Sequence, residues 1–311
     1  MLLSLTALQT ALEVGAIYSL VALALFISFS ILNIADLSTD GCYTLGFAVG
    51  ATVTLAGHPL LALPAAMAAG ACSGFVTAFL QTRLGVESIL AGIIVNTGLY
   101  TVNLAVMGWS SNLSIYGSDS LFTLCKELFP WEWWAKWHEL VVLAVILLVA
   151  ALLVVLFFRT RLGLSIRATG DNADMVRASS INPSFTITVG LCLSNSLTGL
   201  AGCLIGLLNK SCDINLGTGM VTVALASLII GESLMGRGSI PRRVFGVILG
   251  ACLYRIIIAV AISTSIVPTE GFKLVSALIV AVAIAAPQGR KLIALQRQKL
   301  AARKRGGGVK C

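Results

Sequence analysis

Long uncharged stretches recur along this chain, and they limit what it can fold into. Segments 140–158 and 185–208, for example, contain no Asp, Glu, Lys or Arg. Stretches of this length cross the hydrocarbon core of a bilayer as helices. A backbone in hydrocarbon must satisfy its own hydrogen bonds, and these runs lack the short alternating pattern of barrel strands. We therefore predict an all-α integral membrane protein, a polytopic helical bundle.

The composition agrees with a membrane bundle, and the apolar stretches predict the number of its helices. Hydrophobic residues make up 58% of the chain, charged residues only 11%, and the mean hydropathy is +0.97, far from a soluble domain. We predict about eight to ten transmembrane helices, with nine as the best number. The predicted spans are 10–32, 40–57, 60–80, 88–107, 140–158, 184–208, 218–235, 243–266 and 272–287.

The basic residues predict the orientation of the bundle. Sixteen of the 21 Lys and Arg residues fall in regions that strict alternation places on one side, which the positive-inside rule assigns to the cytoplasm. The amino terminus is then outside and the carboxy terminus inside. The transmembrane domain covers residues 1–289, with an extracytoplasmic loop at 108–139, a cytoplasmic loop at 159–183 and a basic cytoplasmic tail at 290–311.

The net charge of +8 follows from the same topology, so we do not interpret it as a nucleic-acid footprint. The eight cysteines and the two histidines, His58 and His138, show no metal-ligand spacing. The chain has no G-x-x-x-x-G-K-[ST] phosphate loop and no convincing intramembrane carboxylate relay. We expect no catalytic or metal site, no enzymatic activity and no bound cofactor. Active transport would need energy from another protein.

A polar stretch, "SIRATGDNADMVRASSINP", interrupts two apolar spans at 165–183. Asp171 or Asn172 can cap a helix, Asp174 places negative charge in its first turn, and Arg177 lies near its negative end. Asn182 and Pro183 then cap and begin the next span. The pattern predicts a short helix lying on the cytoplasmic side.

We expect this short helix to expose Met175 and Val176 to a groove on a partner protein, although an ordinary solvated loop is the alternative. The candidate contact residues are Asp171, Asn172, Ala173, Asp174, Met175, Val176 and Arg177.

Three segments resemble bacterial ABC importer permeases of the branched-chain amino acid and ribose type. They are "SILNIADLSTDGCYTLGFAVGA", "SIRATGDNADMVRASSINPSFTITVGLCLSNSLTGLAGCLIG" and "GTGMVTVALASLIIGESLMGRGSIPRRVFGVILGACL". The subfamily that the chain resembles is often grouped with aromatic amino acid uptake. One departure is that Ser179 and Ser180 stand where the family usually has Leu and Gly.

The resemblance implies a set of partners in the plasma (inner) membrane of a bacterium. These are two separate ATPase subunits that carry the ATP and magnesium, a second copy of the permease as a homodimer, and an extracytoplasmic solute-binding protein. The Trp-rich loop 108–139 either anchors at the outer headgroups or forms a docking ledge for that binding protein.

Polar residues inside the predicted spans are candidates for a substrate pathway or for interhelical hydrogen bonds. The candidates are Asn33, Asn96, Thr97, Asn103, Ser194, Asn195 and Ser196. Arg255 lies deep enough to need a partner, and Glu232 on the neighbouring span is the predicted one, forming an intramembrane ion pair.

We therefore expect the transmembrane permease subunit of an ATP-driven importer for a small polar solute, with an amino acid favoured over a sugar or nucleoside. A stand-alone secondary carrier or channel is the main alternative, and a non-transporting membrane scaffold is the third. A functional intramembrane carboxylate would favour the carrier.

Overall fold

The computed structural model describes residues 5–127, 131–236 and 238–263, together with residues 277, 278, 281 and 285. Within these ranges the chain is almost entirely helical. The helices are α1 (Leu5–Leu25), α2 (Thr39–Leu55), α3 (Ala62–Arg83), α4 (Ser88–Val106), α5 (Leu121–Glu127), α6 (Glu132–Phe157), α7 (Arg161–Asp171), α8 (Ala173–Ala178), α9 (Pro183–Asn209), α10 (Met220–Met235) and α11 (Ile240–Ser263). A π-helical segment, Phe26–Ile31, continues α1.

The predicted helical membrane bundle is confirmed. Eight of the nine predicted spans have a counterpart among the described helices, and six helices are long and apolar enough to cross a membrane. The two shorter counterparts are α2, with 17 residues, and α10, with 16. The ninth predicted span and the basic tail lie almost wholly outside the described residues. The orientation of the termini stays a prediction.

Helix α9 forms the centre of the bundle together with α1, and glycines bring its neighbours close. The Cα of Gly46 on α2 faces the backbone of Gly199, and that of Gly70 on α3 faces the carbonyl of Asn195. A Cβ at any of these glycines would collide with the facing backbone. Small residues at helix interfaces allow this approach in membranes, where packing replaces the hydrophobic effect between helices.

Helices α10 and α11 pack against each other in antiparallel register. Gly231 lies against Gly246, while the carbonyl of Ser227 lies against Gly250. Helix α11 also packs along α1, where Gly15 faces Cys252. This register determines which charged side chains of α10 and α11 can meet.

Two non-helical segments enter the bundle from opposite ends. Residues 32–38 follow the π-helical segment, and Asp36 within them reaches Asn195, twelve residues and about 18 Å from the start of α9. Residues 210–219 follow α9, and Gly219 at their end contacts Asp40 in the first turn of α2. The helices α2 and α10 therefore both begin inside the bundle, which explains why they are short.

The predicted extracytoplasmic loop 108–139 is largely structured. A short strand, β1 (Asn112–Ser114), pairs antiparallel with β2 (Ser211–Asp213). Helix α6 begins at Glu132, eight residues before the predicted span, because polar and aromatic side chains continue the helix beyond its apolar part. The indole of Trp134 donates to the carbonyl of Cys125 at 2.8 Å and ties α6 to α5.

Candidate coupling helix and translocation core

The polar stretch between α6 and α9 folds into two helices rather than one. Helix α7 was not predicted, since residues 159–170 were assigned to a loop. Its buried residues, Gly163, Ile166 and Thr169, recur every third position and form one face. The Thr160 hydroxyl caps it by accepting from the backbone N–H of Gly163 at 3.2 Å. An amphipathic surface helix has too few apolar residues to be recognised as a span.

The predicted cap of the short helix α8 is confirmed, and Asn172 is the residue that provides it. Its side-chain oxygen accepts from the N–H of Met175 at 3.0 Å, while its extended backbone separates α8 from α7. Asp174 and Arg177 occupy the first and last turns as predicted, 3.8 Å apart. Both are largely exposed, so this ion pair contributes at most about 1 kcal/mol.

The predicted exposure of two residues on α8 is confirmed for Met175 and wrong for Val176. Met175 is 55% exposed, but Val176 is only 1% exposed and packs inward. Adjacent residues on a helix point about 100° apart, so a two-turn helix resting on the bundle cannot expose both. The exposed surface of α8 therefore consists of Met175, the polar side chains of Asp174 and Arg177, and Ala178 at its end.

Helix α7 connects α8 to the two central helices. The hydroxyls of Thr169 and Thr186 on α9 lie 2.8 Å apart and are both buried. Gly170 packs on the carbonyl of Ile31, at the end of the π-helical segment. The connection into α9 is short, because Asn182 caps α9 by accepting from Ser184 at 3.0 Å and Pro183 begins it, as predicted. A displacement of α7 and α8 would therefore act on both α1 and α9.

A buried polar cluster occupies the middle of α9. Asn195, which is fully buried, donates through its side-chain amide to Asp36 at 2.8 Å. Asp36 also accepts from the backbone and the hydroxyl of Ser38, at 2.9 and 2.6 Å. Asp36 falls between the predicted spans 10–32 and 40–57 and was not a predicted pathway residue, because the unwound segment that carries it inward has no local signature. We call Asp36, Ser38 and Asn195 the core cluster.

A second carboxylate joins the two helices that begin inside the bundle. Asp40 accepts from the backbone N–H groups of Gly219 and Val221, each at 2.9 Å. These groups are the unpaired donors at the start of α10, where negative charge is favoured. Thr44, one turn along α2, accepts from the N–H of Gly217 at 3.2 Å. The start of α10 is thereby fixed to α2.

Among the other predicted pathway residues, the structure brings some close to this region. Ser194 is buried and donates to the carbonyl of Ala24 at 2.7 Å. Asn103 on α4 is buried and donates to the carbonyl of Gly41 at 3.0 Å, and Asn96 lies beside the same glycine. Their role in a pathway stays a prediction.

Two of the remaining candidates, Thr97 and Asn33, lie on exposed surfaces and not in the buried core cluster. Thr97 is on an exposed face of α4 and donates to Ile93 of its own helix at 2.8 Å. Asn33 is exposed at the start of the unwound segment, with a left-handed backbone (φ 56°). Ser196 is buried on α9, next to the cluster in sequence.

The predicted ion pair between Glu232 and Arg255 is wrong. Glu232 pairs with Arg243, whose guanidinium lies 2.7 Å from the carboxylate and also donates to the hydroxyl of Ser30. Glu232 is in the last turn of α10 and Arg243 in the first turn of α11, so the antiparallel register brings them level. Arg255 is three turns further along α11 and lies over the ring of Tyr18 instead.

Comparison with known proteins identifies the family of this bundle. The family model described as "Branched-chain amino acid transport system / permease component" matches residues 7–284. The chain belongs to this permease family. It is a transport component of the ABC importer type and a multi-pass membrane protein, as the resemblance of its three segments implied.

Two curated relatives show how the permease compares along its length. It is 31% identical over 265 residues to a tyrosine transport system permease protein of Clostridioides difficile (strain R20291). This match covers 85% of each chain. It is 25% identical over 236 residues to the ribose import permease protein of Escherichia coli (strain K12), covering 70% of this chain and 66% of that one.

A solved structure supports the fold of the permease. The structure is described as an inward-facing conformation of a metal-chelate type ABC transporter, and it matches with a TM-score of 0.51 at 17% identity. The match covers 90% of this chain and 83% of that one. At 17% identity this match supports a shared arrangement of helices and nothing about function. Among the described residues of the permease, no group of three His, Cys, Asp or Glu side chains is placed to hold a metal ion.

Proposed function

We propose that the permease is the transmembrane subunit of an ATP-driven importer that carries an amino acid across the bacterial inner membrane. Two separate ATPase subunits supply the energy, a second copy of the permease completes the membrane part, and an extracytoplasmic protein delivers the solute. The observation that carries the proposal is α8, a capped helix that presents Met175 outward and is joined through α7 to the central helices.

The proposed mechanism is alternating access. ATP-driven closure of the ATPases displaces α8, and α7 passes this displacement to α9 through Thr169 and to the end of α1 through Gly170. The core cluster lies where α9 meets the unwound segment after α1. Discontinuous segments of this kind are common at transporter binding sites, since their backbone groups can face a solute.

The polarity of the interior supports a polar solute. The side-chain oxygens of Asn195 and Asn103 and the hydroxyl of Ser73 are buried and have no hydrogen-bond partner among the described residues. Buried polar atoms are normally paired, so groups without a protein partner favour contact with water or solute. The amino acid assignment draws on the tyrosine transport relative, which matches a larger share of this chain than the ribose relative does.

A reconstitution experiment tests the proposed function. The permease is placed in liposomes with its ATPase subunits, the binding protein is added outside, and entry of radiolabelled L-tyrosine, L-leucine and D-ribose is followed. We expect amino acid accumulation with ATP on the ATPase side and none with a non-hydrolysable ATP analogue. Uptake that needs an ion gradient but neither ATPase nor ATP would contradict the proposal and favour a secondary carrier.

A further inference from the structure

Arg255 places a guanidinium in the middle of the bundle. It lies fifteen residues after Ile240, about 22 Å along α11 at roughly 1.5 Å per residue. Its Cβ faces Gly15 on α1, and its Cζ lies 5.0 Å from the ring centroid of Tyr18. A charged side chain at such depth is costly in a membrane unless it has a partner or lines a polar path.

No acidic side chain of the described residues neutralises Arg255. Glu232 is paired near the other end of α11. Glu13 accepts from Gln9 at 2.9 Å and lies two positions before Gly15, so it points to the opposite side of α1. Asp36 accepts a hydrogen bond from Asn195 on α9, and Asp40 accepts from Gly219 at the start of α10. Arg255 forms no hydrogen bond or ion pair to a described residue, and its Nε is buried without a partner.

Arg255 and Tyr18 are in contact, and both are only partly buried in the described bundle. From residue 13 to residue 28, all of which the structure describes, Tyr18 is the only residue of this central helix that is not buried. Arg255 is partly exposed as well. The guanidinium therefore packs against an aromatic face, its buried Nε has no protein partner, and Arg255 keeps part of its surface free, a geometry suited to receiving an anion.

We propose that Arg255 binds the carboxylate of the transported solute, with Tyr18 holding the guanidinium in place. This inference rests on the proposed function and narrows its substrate to small carboxylates such as amino acids. The guanidinium fork matches a carboxylate in a bidentate arrangement, and its charge is most effective away from bulk water. A neutral sugar such as ribose offers no anion to neutralise Arg255.

The test compares variants in the complete reconstituted transporter, using L-tyrosine, L-leucine and D-ribose as probes. We expect Arg255→Gln to lower ATP-driven amino acid uptake at least tenfold and Arg255→Lys to lower it less. ATPase co-purification should stay at the wild-type level for all variants. Arg242→Gln is the matched control, because Arg242 is exposed on the same helix. The amides of the two amino acids should compete poorly with the acids.

A second measurement uses the wild-type protein and does not depend on the folding of a variant. Phenylglyoxal, which modifies arginine, is applied to the purified complex, and modification of Arg255 is measured by mass spectrometry. We expect L-tyrosine or L-leucine to protect Arg255, and D-ribose to leave it unprotected. Equal modification with and without the amino acids would overturn the inference, as would wild-type uptake by Arg255→Gln. Import of D-ribose but of neither amino acid by the wild-type transporter would also overturn the inference. ATP-driven transport by the permease would still stand in that case.

Discussion

At the scale of single residues, Ser180 carries a conformation that its side chain disfavours. Its φ is 61°, in the left-handed region, where a residue with a Cβ costs about 1 to 2 kcal/mol. Its N–H donates to the carbonyl of Arg177 at 3.2 Å, so this conformation ends α8 before Asn182 begins the cap of α9. The resemblance expects Gly at this position, and the backbone angle supplies the physical reason.

We expect Ser180→Gly to stabilise the permease. The left-handed penalty is removed, and the greater flexibility of glycine in the unfolded chain offsets part of the gain, leaving about 0.5 to 1 kcal/mol. Thermal unfolding in detergent should shift upward by about 1 to 3 °C. Ser179→Gly is the matched control, because Ser179 has a φ of −86° and should gain nothing. A lower unfolding temperature for Ser180→Gly would contradict this account.

The ion pair between Glu232 and Arg243 gives a second prediction. Their side chains are only 14% and 16% exposed. Arg243→Leu should destabilise the permease by about 3 to 5 kcal/mol, because it leaves a carboxylate without its main partner, and the double variant with Glu232→Leu should recover part of the loss. Folded yield in detergent measures the effect, with Arg242→Leu as an exposed control. A double variant no better than Arg243→Leu would argue against the pair.

The pairing of Glu232 with Arg243, and not with Arg255, could not be predicted from the sequence. Hydropathy revealed that Glu232 and Arg255 lie inside spans, but pairing depends on the register between α10 and α11. That register is determined by Gly231 and Gly246, whose contact is not encoded in either segment alone. Arg255 was therefore predicted as the partner of Glu232 because it lies deep in the predicted span 243–266, whereas Arg243 is the first residue of that span.

At the scale of helices, the contact between α2, α3 and α9 depends on Gly199. A Cβ at Gly199 would collide with the carbonyl of Ala66 on α3. We expect Gly199→Ala to lower the unfolding temperature by several degrees, since the backbones would have to separate. Gly98→Ala on α4 is the control, because a Cβ there meets nothing within 4 Å. It should be neutral or stabilising by up to about 1 kcal/mol. Equal behaviour of the two variants would contradict the close packing.

Local signals predicted helices well, and contacts distant in sequence were not predictable. Apolar length identified eight spans. The caps at Asn182 and at Asp171 or Asn172 were predictable because capping involves residues two or three positions apart, and the structure selects Asn172. The amphipathic helix α7 was missed. The unwound segment 32–38 was also missed, because its hydrogen bonds to Asn195 cross more than 150 residues of sequence.

At the scale of the whole molecule, the orientation can be measured with single-cysteine variants. Cys125 is predicted to be outside, and Cys311, which lies outside the described residues, is predicted to be inside. An impermeant maleimide should label a Cys125-only variant on intact cells. It should label a Cys311-only variant only after the membrane is opened. Labelling of Cys311 in sealed cells would contradict the predicted orientation.

The pH dependence of this labelling provides a further check. Burial raises the pKa of the Cys125 thiol. The reactive thiolate is then scarcer near pH 7 than for an ordinary cysteine, so labelling should accelerate as the pH rises toward the raised pKa. A rate that rises with pH in the same way as that of a fully exposed cysteine would contradict the partly buried position of Cys125.

The central claim is that α8 couples the bundle to a separate ATPase, and Met175→Asp tests it most directly. Met175 is exposed, so the change should leave folding intact, whereas Val176→Asp should lower folded yield because Val176 is buried. Leu84→Asp is the control, since Leu84 is 62% exposed on the same predicted side.

The measurement is co-purification of the ATPase with each variant at matched membrane levels, followed by uptake. An apolar side chain of this size contributes roughly 1.5 to 3 kcal/mol when fully covered by a partner, which corresponds to at least about a tenfold loss of affinity when it is removed. We expect Met175→Asp to lose the ATPase and fail to import, while Leu84→Asp retains both. Wild-type co-purification and uptake by Met175→Asp would contradict the coupling role of α8.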